Sequence, residues 1–147
     1  MDNNDKVCED IFKINPKDLK KCIFEDMTLY ARVYKCYDAD TISVIFNHKG
    51  DYIKSNCRLN RIDTPEMRSK NPKEKEYAHI AQRFLSNLIL EKIIKIKITG
   101  ADKYGRLLTE VYYFDEENNE ININDLLIEH GYAKLYDGGT KSEWVFV

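Results

Sequence analysis

Along the 147 residues the periodicity of the chain changes twice, and these changes constrain the fold more than any other feature. From Met27 to Ile62 aromatic and β-branched residues dominate, interrupted by Asp38-Ala39-Asp40 and by Asn47-His48-Lys49-Gly50-Asp51. Turn-forming residues between such runs predict an antiparallel meander of strands over Met27–Tyr34, Thr41–Phe46 and Tyr52–Ile62. Pro65 ends it, because proline cannot donate to a ladder and holds Thr64 extended. From about Glu74 the spacing becomes helical. Tyr77, Ile80, Ala81, Phe84, Leu85 and Leu88 line one face of an amphipathic helix of roughly four turns. Alternation then returns, with Ile94, Ile96 and Ile98 on one face of a strand and lysines on the other. After a turn over Gly100–Gly105, Arg106–Phe114 forms the fifth strand. A short helix from Ile123 to His130 closes the pattern, with Asn122 as N-cap, Asp125 near its positive end and Gly131 just past its last turn.

This order predicts an α+β fold: a five-stranded OB-type Greek-key β-barrel with two to three helices. Other small α+β folds share the order. Residues 1–25 are polar and weakly periodic, and read as an N-terminal extension with a short helix around Pro16–Lys21. Residues 26–147 form the single domain that this length favours.

Composition excludes several classes. The apolar runs, such as Leu88-Ile89-Leu90, fall far short of the ~20 residues of a membrane helix. Residues 1–25 hold no apolar stretch of ~7–15 residues such as a secretory signal needs. The expectation is a soluble, intracellular monomer with no membrane partner, and secretion would require a processed chain. Cys8, Cys22, Cys36 and Cys57 lie 14, 14 and 21 residues apart. This spacing forms no CxxC pair, so free thiols are expected rather than zinc or a disulfide scaffold. The net charge of −2 does not mark a nucleic-acid binder. Its distribution is uneven, however. Lys92, Lys95, Lys97, Lys103 and Arg106 cluster in 92–106, whereas 113–130 is acidic. That basic stretch reads equally as a solvated face or as a phosphate-binding one.

Acids and arginines gather at the ends of the expected strands. Asp40 follows the first, Asp63 and Glu66 follow the third, Arg58 lies within the third, and Arg106 opens the fifth. Two carboxylates plus a strand-end carbonyl can hold a hard cation. A further carboxylate can deprotonate a water, and planar guanidinium groups suit the crowded oxygens of a phosphoryl transition state. A chain with 25 acidic and 23 basic residues places some of them near loops by chance, so spacing must decide.

The spacing is specific. Asp38-Ala39-Asp40-Thr41, then Arg58-x4-Asp63-Thr64-Pro65-Glu66, then Asp102-Lys103-Tyr104-Gly105-Arg106 closely resembles the thermonuclease (staphylococcal nuclease-like) family. The resemblance runs from about Met27 to Tyr136. It implies a metal-dependent nuclease acting on DNA and/or RNA and leaving 3′-phosphates. Asp40, Asp63 and the Thr64 carbonyl would hold the ion, Ca2+ by family habit, with Mg2+ as the alternative. Glu66 would be the general base, and Arg58 and Arg106 would bind the scissile phosphate. Lys103, Tyr104 and Tyr136 would contact the nucleotide. Two departures are expected to matter: Ala39 stands where the family carries glycine, and the hairpin between Asp40 and Arg58 is longer. Because Arg58 and Asp63 are five residues apart, strict alternation points them to opposite faces, so the third strand must bend before Asp63. The competing reading is a catalytically inactive nucleic-acid- or protein-binding module on the same barrel. Modules of that kind lack one or more of the acids or arginines, and all of them are present here.

Overall fold

A computed structural model describes residues 3–146. The ends of the extension (residues 1 and 2) and of the domain (residue 147) lie outside the described residues. An α-helix, α1 (Asn3–Phe12), and a single 3-10 turn at Pro16–Asp18 precede the first strand. The turn falls where proline predicts it, with the Asn15 side chain accepting from the Lys17 N–H at 3.0 Å. Helix α1 was not expected from so little periodicity, and none of its residues is buried. The end of the extension does reach the barrel: the Phe24 ring packs edge-on against Phe46 at 5.3 Å and His48 at 5.0 Å.

The barrel strands are β1 (Thr28–Cys36), β2 (Thr41–His48), β3 (Asp51–Leu59), β5 (Ile93–Ala101) and β6 (Leu107–Phe114), with a short β4 (Ile62–Asp63) after β3. The sheet order β3-β2-β1-β5-β6 closes on itself because β3 also pairs with β6, in parallel, through Cys57↔Leu107, Arg58↔Leu108 and Leu59↔Thr109. Closure removes the sheet edges. Register irregularities at Val33/Lys35 in β1 and at Ile98/Gly100 in β5 supply the local bends a small barrel needs. The expected five-stranded α+β barrel of OB type is therefore the observed fold. Inward residues Val33, Ile42, Val44, Leu59, Ile94, Ile96, Ile98 and Val111 are fully buried.

Helix α2 (Pro72–Ile89) covers this core with Ala78, Ala81, Leu85 and Ile89. It starts two residues before the apolar pattern does, because Asn71 caps it, accepting from the Lys73 N–H at 3.0 Å, and Pro72 suits a first turn. A short β7 (Glu120–Asn122) leads into α3 (Ile123–Glu129). As expected, the Asn122 side chain caps α3 by accepting from the Asp125 N–H at 3.0 Å, and Gly131 takes φ 77° after it. The chain then forms β8 (Lys134–Leu135), which pairs antiparallel with β4 through Ile62↔Leu135 and Asp63↔Lys134.

Candidate active site

The β2–β3 ladder positions the first part of the site. Thr41 pairs with Arg58, and the Leu59 N–H donates to the Asp40 carbonyl at 2.8 Å. Asp40 and Arg58 therefore meet at one barrel end, with Asp40 Oδ2 3.4 Å from Arg58 Nη1 and both side chains 12% exposed. Ala39 is buried and is not among the residues with positive φ, so the turn that presents Asp40 accommodates its Cβ without left-handed strain. The longer hairpin has its extra length in the ladder. Its tip is a two-residue Lys49-Gly50 turn (φ 53° and 92°), at the end of the ladder opposite Asp40 and Arg58. Seven residue steps at ~3.3 Å each separate the two ends, so the longer hairpin projects its tip away from Asp40 and Arg58.

The bend required after Arg58 is present. Strand β3 stops at Leu59, Arg61 adopts φ 69°, and β4 resumes at Ile62. A left-handed arginine costs roughly 1–2 kcal/mol, and its surroundings hold it there. The Arg61 guanidinium pairs with Glu110 at 2.5 Å and Asp125 at 2.9 Å, and its carbonyl accepts from the Tyr136 N–H at 2.7 Å. Beneath the turn, buried Asn124 donates to the Asn60 and Thr109 carbonyls at 2.9 and 3.1 Å. The bend brings the Ile62 carbonyl, one residue before Asp63, back to the Arg58 guanidinium. Arg58 Nη1 donates to the Leu59 carbonyl at 2.7 Å and Nη2 to the Ile62 carbonyl at 2.8 Å. A guanidinium has five N–H donors, so this brace leaves others for Asp40 and for further partners.

Arg106 arrives from the other side. Asp102 organises its loop: Oδ1 accepts from the backbone N–H of Tyr104 and of Arg106, both at 2.9 Å, and Oδ2 takes Arg106 Nε at 2.7 Å. Burial works against the Asp102 carboxylate, but these donors outweigh it and hold the group below the usual range. Gly105, at φ 81°, completes the turn. Arg106 Nη1 then reaches Thr41 Oγ1 at 3.2 Å, and that hydroxyl donates to Asp40 Oδ1 at 3.1 Å. Both arginines thus join one network through Thr41 and Asp40. Thr41 and Asp102 stand inside the quoted motifs but carry no role in the reading of the sequence. The one available signal was Asp102 three residues before Gly105, a common turn pattern. Asp38 is also part of the network. Burial, then its contact with Asp40, pushes its carboxyl up to about 7. For Asp40, burial is outweighed by Asp38, Arg58 and the Thr64 and Thr41 hydroxyls, so it stays below the usual carboxylate range.

A profile of the staphylococcal nuclease homologue family matches residues 56–143, which include Arg58, Asp63, Glu66 and Arg106. The chain belongs to that family. It is similar to an uncharacterised protein of Methanocaldococcus jannaschii, 32% identical over 127 residues, with 73% of this chain and 59% of that protein covered. An uncharacterised endonuclease of Escherichia coli is 29% identical over 109 residues, covering 74% and 62%. Endonuclease YncB of Bacillus subtilis is 29% identical over 113 residues, covering 73% and 49%. The chain thus spans about half to three-fifths of the length of these relatives.

The family's cation-holding positions suit a hard ion here. Asp40, Asp63 and Thr64 are 8%, 5% and 2% exposed. Asp63 Oδ1 is buried and accepts no hydrogen bond, although Lys141 Nζ lies 3.2 Å away. A buried carboxylate oxygen needs a cationic partner or hydrogen-bond donors, and a hard cation is one partner this oxygen could take. No three His, Cys, Asp or Glu side chains form a metal-holding group among the described residues.

The other candidate residues are more exposed. The Glu66 side chain is 62% exposed, with Oε1 3.6 Å from Lys141 Nζ, and its backbone N–H donates to Glu74 Oε2 at 2.9 Å. The Tyr104 ring is exposed, with Lys103 Nζ at 5.2 Å and the Arg106 guanidinium at 5.7 Å. Tyr136 lines a cavity of about 560 Å³ with Arg61, Asp63 and Thr140. The Lys92–Lys97 face is not brought to this site. Lys95 pairs with Glu120 and lies over the Tyr112 ring. No cysteine is in a disulfide among the described residues, and burial pushes the Cys57 thiol up to about 12. No helix among the described residues is long and apolar enough to cross a membrane.

Proposed function

We propose that the chain is a divalent-cation-dependent endonuclease that hydrolyses phosphodiester bonds in DNA and/or RNA, with calcium as the preferred ion. The observation that carries this reading is the Arg106–Thr41–Asp40–Arg58 network beside a buried Asp63 carboxylate whose Oδ1 faces a cation, the Lys141 ammonium, at 3.2 Å. Asp40, Asp63 and Thr64 would hold the cation, which when bound supplies Lewis acidity at the phosphoryl oxygens. Arg58 and Arg106 clamp the scissile phosphate and neutralise the charge that grows on its oxygens. Glu66, exposed and next to the cation position, takes a proton from a water as its oxygen attacks phosphorus. The bond from phosphorus to the 5′-oxygen breaks and that oxygen takes a proton from solvent, leaving a 3′-phosphate and a 5′-hydroxyl. Tyr104, Lys103 and Tyr136 line the approach and contact the nucleotide. The endonuclease names of similar proteins support the reaction class.

The test is an incubation of the protein with single-stranded DNA, duplex DNA and RNA, each with calcium, magnesium or excess chelator. Hydrolysis that calcium restores and chelator abolishes is the expected result. Full activity in chelator would overturn the cation requirement. Binding of the oligonucleotides without cleavage under any cation would assign the chain to a binding module instead.

A further inference from the structure

Lys141 has no role in the site as read so far, yet its Nζ lies 3.2 Å from Asp63 Oδ1 and 3.6 Å from Glu66 Oε1. The segment that carries it is anchored on both sides. Before it, the chain pairs with β4 through Leu135↔Ile62 and the Tyr136 N–H donates to the Arg61 carbonyl at 2.7 Å. After it, Lys134 Nζ donates to the Glu143 carbonyl at 2.6 Å and lies 4.3 Å over the Trp144 ring, which itself stacks on Phe146. Residues 137–146 therefore form a strap across the site, with Lys141 between its two anchor points.

This arrangement sets a conflict. The oxygen that a divalent ion would need is the one Lys141 contacts, and two cations at contact distance on one carboxylate oxygen repel strongly. The Lys141 side chain is 44% exposed on a flexible four-carbon stem, and its neighbours Thr140 and Ser142 line the cavity beside Asp63 and Tyr136. Lys141 also lines a second cavity, together with Asp63 and Glu66.

We propose that Lys141 is an exchangeable counter-ion of the site. Its ammonium rests on Asp63 and Glu66 in the free protein, and moves to a phosphate of bound DNA or RNA once a divalent cation occupies Asp63. The proposal rests on the nuclease reading for its ligands, and adds a phosphate-binding residue carried by the strap.

Two equilibrium titrations test it in the parent, Lys141→Met and Lys141→Gln, with circular dichroism confirming the fold. Calorimetry with calcium alone should show both variants binding the ion at least about twofold more tightly, the scale of an ion pair removed. A single-stranded phosphorothioate oligonucleotide, titrated in calcium over a range of salt, should bind both variants more weakly. The slope of log K against log salt should fall by about 0.7, the share of one phosphate contact. Unchanged calcium affinity, or an unchanged salt slope, overturns the proposal. Neither titration depends on turnover, so a parent protein that cleaves nothing would overturn the nuclease reading while these measurements still decide Lys141.

Discussion

The two halves of the candidate site are held in different ways. Asp40, Asp63 and Thr64 lie at strand ends, each less than a tenth exposed, and barrel ladders fix them. Asp40 is tied to β3 by its carbonyl, and Asp63 pairs with Lys134 in the β4–β8 ladder. Glu66, Tyr104 and Lys141 stand outside the barrel strands on segments secured mainly by local bonds, and are well exposed. The same contrast separates the arginines. Arg58 is braced by two backbone carbonyls, whereas Arg106 depends on Asp102 within its own loop. Buried groups of like charge need rigid spacing to hold a cation without collapsing onto other partners. Groups that meet a long polymer need access, which only loops and straps provide.

The largest effect should come from the exposed half. Glu66→Gln is expected to lose about 10²–10⁴ in turnover, while the fold, calcium affinity and oligonucleotide affinity stay at parental levels. Single-turnover cleavage beside calorimetry checks this, and unchanged cleavage would remove Glu66 from the chemistry. Next come the arginines, each changed to lysine. Both variants should lose roughly 10²–10³ in turnover, but Arg58→Lys should unfold more easily than Arg106→Lys, by about 1.5–3 kcal/mol, because it gives up two charged hydrogen bonds to backbone carbonyls that tie the bend together. Equal melting of the two variants would erase the distinction between braced and loop-held arginines.

A smaller effect is expected at Asp102. Its folded value is lowered, so its contribution to stability is complete above the ordinary carboxylate value of 3.8 and is lost as pH falls through the lower folded value. Asp102→Asn should therefore flatten the acid limb of a melting-temperature profile, and an unaltered limb would show that the loop is held by something else. Smallest of all, Gly50→Ala at the hairpin tip should cost about 1–2 kcal/mol through its left-handed backbone and leave turnover unchanged. Any loss of turnover there would mean that the tip communicates with the site.

Much of the barrel is legible because strand and helix periods are local signals. The α3 cap at Asn122, the change of period near residue 74, and the bend before Asp63 are all written in short-range patterns. Helix α1 is the exception: Val7, Cys8, Ile11 and Phe12 lie at helical spacing, but the stripe spans barely two turns and buries nothing. The motif residues Asp40, Arg58, Asp63 and Arg106 could be chosen by spacing, but Thr41 and Asp102, which link and orient them, could not. Their importance depends on a hydroxyl and a carboxylate meeting arginines across space.

By itself the sequence determined the alternation of strands and helices, the turn chemistry and the order of the acids and arginines. These follow from side chains acting on their own backbone within a few residues. Only the tertiary structure decided that β3 closes on β6, that Arg61 bends the chain against Glu110 and Asp125, and that Lys141 reaches Asp63 from 78 positions later. Such contacts join residues far apart along the chain, and burial and charge settle them only when the whole barrel has closed.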